Sequence, residues 1–108
     1  MQNDFVLEIS RQFDETVIQI SGEIDIFSAP AFKEKVGGII ESGAAAVVFD
    51  CQGLEYIDST GLGVFVSFLK KANQNDCALR LKNLKSSVLK LFVITGLDRI
   101  LDIEEGGV

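Results

Sequence analysis

Apolar and polar residues alternate with a period of two over Phe5-Val6-Leu7-Glu8-Ile9 and again over Thr16-Val17-Ile18-Gln19-Ile20. That period predicts two strands, each with one face on a core. The short connection Gln12-Phe13-Asp14-Glu15 predicts that they form an antiparallel hairpin. Gly22 ends the second strand in this reading, so Glu23 and Asp25 fall on a loop at a strand end. The period then becomes helical. Phe32, Val36, Ile39 and Ile40 share one face of a helix announced by Ser28 and Pro30 and stopped near Ser42-Gly43. Gly37-Gly38 weakens that helix, and close packing against the sheet is the reading given to it.

Residues 44–50 are apolar nearly throughout, the pattern of a central strand covered on both faces. Residues 51–57 connect it to a helix from about Ser59 to Ala72. Leu62, Val64, Phe65, Val66, Phe68 and Leu69 give this helix more apolar surface than a single stripe needs. Either the chain covers both sides of it, or a partner covers one. After the polar turn Asn73-Gln74-Asn75-Asp76, the alternation of Ala78-Leu79-Arg80-Leu81-Lys82 predicts a strand joined by a right-handed parallel crossover. Ser86 or Ser87 caps a third helix with Val88, Leu91 and Phe92 on one face, closed by Gly96. Residues 97–103 are read as a short last strand and 104–108 as a fraying tail. The expected class is α/β, with a small mixed sheet built from the hairpin and parallel βαβ crossovers.

A chain of 108 residues, 47% of them hydrophobic, is enough for one domain with a real core over residues 1–108. The net charge of −6 argues against nucleic acid as a partner, because phosphates call for clustered Lys and Arg, and Lys70-Lys71 is the longest basic run. No apolar stretch approaches a membrane span, and Met1-Gln2-Asn3-Asp4 lacks the basic and apolar regions of a secretion signal, so a soluble cytoplasmic protein is expected. The two cysteines, Cys51 and Cys77, sit in or beside apolar segments and read as reduced, packed thiols. With no His, a Ser-His or Cys-His catalytic pair and most zinc ligand sets are out of reach, and neither catalytic residues nor a metal or cofactor are expected.

The chemistry concentrates in Asp58-Ser59-Thr60-Gly61-Leu62-Gly63-Val64-Phe65. Asp, Ser and Thr satisfy free N–H groups at a helix start, so a structural cap is the plain reading of the first three. Two glycines within three residues are costly in a helix and point to a close approach to the backbone. A hydroxyl exposed at such a start, flanked by small residues, is accessible to another protein's active site and is a candidate for phosphorylation. Two enzymatic readings fail. The Asp-Ser pair lacks the immediate Gly and the second carboxylate loop of aspartic proteases. The Gly61-Leu62-Gly63 start of a dinucleotide fingerprint has Val66 where the third glycine belongs.

Gly22-Glu23-Ile24-Asp25, Ser28-Ala29-Pro30, Asp58-Ser59-Thr60-Gly61-Leu62-Gly63-Val64-Phe65 and Leu91-Phe92-Val93-Ile94-Thr95-Gly96-Leu97 together resemble the anti-sigma-factor antagonists of the STAS domain family, most closely the general-stress sigma-B type. The resemblance spans nearly the whole chain. It implies a STAS-like single domain, with helices mainly on one face of the sheet, and a partner-switching function in bacterial transcription. The partners implied are a serine-kinase anti-sigma factor of the GHKL ATPase fold, which the unphosphorylated antagonist binds so that the sigma factor is released, and a PP2C-type phosphatase. The phosphorylated residue implied is Ser59. The docking surface implied comprises Glu23, Asp25, Ser28, Asp58, Thr60, Gly61, Leu62 and Gly63. The competing expectation is a STAS ligand-binding or scaffold module without a phosphorylation cycle.

Overall fold

In a computed structural model describing residues 5–104, strand β1 (Val6–Gln12) turns at Phe13-Asp14 into β2 (Glu15–Ile24). The two pair antiparallel from Val6↔Ser21 to Gln12↔Glu15, the hairpin expected from the sequence. Helix α1 (Ala29–Glu41) then leads to β3 (Ala46–Ile57), and α2 (Ser59–Gln74) leads to β4 (Ala78–Lys82). β3 pairs parallel with β2 and with β4, so the sheet order is β1-β2-β3-β4. Helix α3 (Ser86–Ile94) and a 3₁₀ turn at Leu97–Arg99 complete the chain.

The helices cover one face of the sheet. On β2, Thr16, Ile18, Ile20 and Ile24 are buried, while Gln19, Ser21 and Glu23 are exposed. The centre of the core is aromatic. Phe32 of α1, Phe49 of β3, Phe65 and Phe68 of α2 and Phe92 of α3 are all buried, and Phe32 lies 5.5 Å from Phe65 and 5.2 Å from Phe68 between ring centroids. Edge-to-face contacts of this kind add to the burial term.

Several sequence expectations change. Gly22 does not end β2; it takes φ +101°, and the strand runs on to Ile24, so Glu23 belongs to the strand and Asp25 starts the loop. Residues 51–57 are strand and not connection. Opposite Gln19–Ser21 and again opposite Gly22–Glu23, β3 carries an extra residue. These bulges shift the buried positions from Val47, Phe49 and Cys51 to Leu54 and Ile57, which destroys the alternation that marks a strand. Gly53 sits at the first bulge, where a Cβ would lie 2.6 Å from Ser21 Oγ and 2.9 Å from the Ile20 carbonyl.

β3 is not covered by helices on both faces. Val48 is buried on the helix-free side, flanked by its paired neighbours Val17 and Arg80, while Gln52 is exposed there. Gly37 packs against α2 and not against the sheet, since a Cβ there would lie 3.4 Å from Lys71 Nζ, and Gly38 faces open space. The last strand reduces to one parallel bridge, Leu81↔Ile103, fixed by Leu81 N–H to the Asp102 carbonyl at 2.9 Å and Glu104 N–H to the Leu81 carbonyl at 2.8 Å. The remainder of the expected fraying tail, and the absence of a secretion signal at residues 1–4, lie outside the described residues. Among those described, no helix is long and apolar enough to cross a membrane.

Candidate functional site

The bulges carry β3 forward until Ile57 stands opposite Ile24, the last residue of β2. Asp58 follows, and its N–H donates to the Ile24 carbonyl at 3.2 Å. This bond ties the start of α2 to the end of β2. Asp58 is the N-cap of α2, with extended backbone, and its Oδ1 accepts from the Gly61 N–H at 3.0 Å. The cap therefore uses the carboxylate and leaves the hydroxyls of Ser59 and Thr60 unengaged in capping. Both residues are exposed, at the first two helical positions, where the backbone N–H groups have no intrahelical acceptor.

The two glycines of this turn have different causes. Gly61 is buried against the strand ends, and a Cβ there would lie 2.7 Å from Ile57 Cγ1, 2.8 Å from Ile24 Cγ2 and 3.0 Å from the Ile24 carbonyl oxygen. Only Gly lets α2 start so close to the sheet. Gly63 is exposed, and nothing lies within 4 Å of the Cβ position. Leu62 and Val64 are buried, as are Phe65 and Phe68, and α1 packs along α2, so the chain itself covers most of this helix's surplus apolar surface.

Beside this start lies the loop between β2 and α1. Asp25 Oδ1 accepts from the Phe27 N–H at 2.9 Å and the Ser28 N–H at 3.1 Å. Ser28 is only 4% exposed, and its hydroxyl donates to the Glu23 carbonyl at 2.9 Å while accepting from the Asp25 N–H at 3.0 Å. Ser28 holds the position before α1 yet does not cap the helix with its side chain. The residues of the expected docking set stand at different depths. Glu23, Thr60 and Gly63 are exposed, as is Ser59; Asp25 and Asp58 are half-buried; Ser28, Gly61 and Leu62 are buried.

Sequence reasoning missed three residues here. Ile26 is 61% exposed and Phe27 81% exposed on the Asp25 loop. With Lys33, Ile26 lines an open groove of about 440 Å³ between the first turns of α1 and α2, together with Ala29, Pro30, Thr60, Gly63 and Val64. An apolar pair standing in a turn segment, outside any period, was the available signal.

Neither cysteine belongs to this site. Both are free and buried. Burial, and secondarily the Asp50 carboxylate, pushes the Cys51 thiol far up, and burial raises Cys77 against a smaller opposing effect of a hydrogen bond with the Val47 backbone. Raised thiols are poor nucleophiles. What the surface offers chemically is a primary hydroxyl, Ser59 Oγ, exposed at a helix start directly after the capping Asp58.

The STAS domain profile matches residues 5–106. The chain is 39% identical over 105 residues to the anti-sigma-B factor antagonist of Bacillus subtilis, covering 94% of this chain and 95% of that protein. Its fold is similar to that of an anti-sigma factor antagonist from Mycobacterium paratuberculosis, with a TM-score of 0.82 at 21% identity over 95% of this chain and 87% of that one. It is also similar to SpoIIAA of Bacillus, an anti-sigma factor antagonist solved in two forms. The TM-score is 0.72 for the unphosphorylated form, at 17% identity over 94% and 89% of the chains. It is 0.70 for the phosphorylated form, at 23% identity over 93% and 90%.

Proposed function

The chain belongs to the STAS domain family, and from that premise we propose that it is an anti-sigma factor antagonist of the sigma-B type, switched by phosphorylation of Ser59. Unphosphorylated, it binds a serine-kinase anti-sigma factor and so releases the sigma factor; phosphorylated, it lets the kinase go. The reading makes the chain a regulatory binding protein and a phosphoryl acceptor, with ATP and magnesium belonging to the kinase of GHKL fold and the reverse step to a PP2C-type phosphatase. The observation that carries it is the exposed Ser59 at the first position of α2, with the neighbouring Asp58 already committed to the Gly61 N–H.

The physical argument runs through charge. In the transfer, Ser59 Oγ gives its proton to a base on the kinase, forms the O–P bond, and ADP leaves. The ester adds about −1.5 to −2 charges at neutral pH. Within this chain the positive end of α2 and its free N–H groups offset the repulsion from Asp58, so the fold is kept. Across an interface shaped for a neutral hydroxyl, the same charge is desolvated without a partner. A penalty of about 1.4 kcal/mol already weakens binding tenfold.

The test is incubation with the cognate anti-sigma kinase and ATP, followed by intact-mass and peptide mapping. One phosphate on Ser59, lost in Ser59→Ala, is the expected outcome. Ser59→Glu should keep the far-UV spectrum and lose kinase capture. Phosphate at another residue, or full capture of Ser59→Glu, refutes the assignment.

A further inference from the structure

The two edges of the sheet are treated differently. The outer side of β4 is met by the Leu81↔Ile103 bridge and its two hydrogen bonds, whereas among the described residues β1 pairs with β2 alone. An open edge presents a row of N–H and C=O groups to any strand that arrives, and proteins blunt such edges with proline, lysine or a bulge. β1 carries none of these. Its sequence is Val6-Leu7-Glu8-Ile9-Ser10-Arg11-Gln12, and its register against β2 runs without a shift. Leu7, Ile9 and Arg11 stand opposite the buried Ile20, Ile18 and Thr16 and so share the helix-covered face, yet Ile9 is 42% exposed.

Each end of β1 carries a feature the fold does not use. After its last residue, Phe13 is fully exposed at φ +54°, the first position of a two-residue hairpin loop that ordinarily holds Gly or Asn. A bulky side chain there is strained and buries nothing in its own chain. At the start of β1, an open groove of about 480 Å³ lies between the strand and α1, lined by Phe5, Leu7, Ala31, Glu34 and Lys35. Three of these are apolar, and the other two are one acid and one base.

We propose that the chain forms a two-fold homodimer in which the β1 strands of two copies pair antiparallel, with Ile9 on the symmetry axis. Such pairing keeps the helix-covered faces of both copies on one side of a continuous sheet. Ile9 then meets Ile9, Leu7 meets Arg11 and Val6 meets Gln12, so the whole of β1 is paired. Phe13 of one copy falls opposite Phe5 of the other, at the mouth of the groove. A register centred on Glu8 would instead set two carboxylates against each other. The charges match as well. Arg11 and Asp14 of the arriving hairpin meet one opposite charge each in Glu34 and Lys35, and none of the four is in an ion pair among the described residues. Two Phe13 rings, burying about 150–250 Å² each, supply a quarter or more of the roughly 1,200 Å² at which stable interfaces begin. The paired strands and the two Ile9 side chains add to this, which is the scale of a weak, reversible dimer. The dimer does not depend on the antagonist function.

The experiment is sedimentation velocity of the full chain from about 1 μM to 1 mM, the span of weak association. The mass should rise with concentration from the 11.8 kDa of one chain towards twice that value. Phe13→Asn, which suits a positive φ, should melt no earlier than the unmodified chain at low concentration and yet weaken association by about tenfold or more. The register is read by cross-linking. In Ile9→Cys the two thiols face each other across Cα atoms about 4.5–5.5 Å apart, within disulfide reach, and mild oxidation should give a covalent dimer. In Gln12→Cys the thiols lie about 20 Å apart, and no such dimer should form. The native thiols are buried and do not compete. A single-chain mass over the whole range overturns the dimer. Undiminished association of Phe13→Asn, or cross-linking of Gln12→Cys as fast as Ile9→Cys, overturns this interface.

Discussion

Adding one methyl group at Gly61 and one at Gly63 should change stability in opposite directions, although the two positions lie in the same turn of α2. At Gly61 the new Cβ meets Ile57 Cγ1 at 2.7 Å, Ile24 Cγ2 at 2.8 Å and the Ile24 carbonyl oxygen at 3.0 Å. That carbonyl cannot withdraw freely, because it accepts the Asp58 N–H at 3.2 Å. Overpacking of this kind costs about 2–3 kcal/mol, from which about 1 kcal/mol of helix propensity gained over Gly is subtracted. Gly61→Ala is therefore expected to lose about 1–2 kcal/mol and, at roughly 4 °C per kcal/mol for a domain of this size, about 4–8 °C in Tm. Gly63→Ala meets nothing within 4 Å. It should gain about 0.5–1 kcal/mol and about 2–4 °C. Urea unfolding and thermal melts followed by far-UV circular dichroism read both. Shifts of the same sign for the two variants would refute the claim that close approach to the strand ends, and not helix chemistry, selects Gly61.

Ser28→Ala removes the hydroxyl that pairs with the Glu23 carbonyl and the Asp25 N–H, and should cost about 1–3 kcal/mol in urea unfolding, more than an ordinary N-cap deletion that leaves exposed groups to water. Phe32→Ala, which empties a fully buried position against Phe65 and Phe68, should cost about 3–5 kcal/mol, roughly a fifth or more of a typical domain's stability, read in the same experiment. Cys51, buried and with its thiol pushed far above the ordinary range, should stay unmodified by a thiol reagent at about pH 8 while the chain is folded and react once it is denatured; rapid labelling of the native chain would contradict its placement.

The periods of the sequence were informative where each element keeps one face to the core. The hairpin, the α1 face at Phe32 and Val36, and β4 at Ala78–Lys82 all follow from them. The second half of β3 did not, because two bulges break the alternation and only the pairing partner, β2, reveals that the chain is still extended. The strand expected over residues 97–103 failed for a different reason. Their apolar residues Leu97, Ile100 and Leu101 are spaced as in a helical turn and not in alternation, and the chain does turn at Leu97–Arg99, so that only Ile103 reaches β4.

At the site, residue type alone fixed what kind of chemistry the chain holds. Asp58, Ser59 and Thr60 before an apolar run are a helix start by their side-chain oxygens, and the lack of His removes the common nucleophile partners. Local composition goes that far because capping depends on neighbours a few residues apart. The division of labour inside the site depends on residues far apart in sequence. Ile24 and Ile57 decide that Gly61 is obligatory and Gly63 is not, the Glu23 carbonyl draws the Ser28 hydroxyl inward, and the joining of the β2 and β3 ends brings Ile26 into one groove with Thr60 and Gly63. Burial is a property of contacts between distant segments, so only the folded chain could separate the exposed hydroxyl of Ser59 from the buried Ser28 hydroxyl that holds the loop.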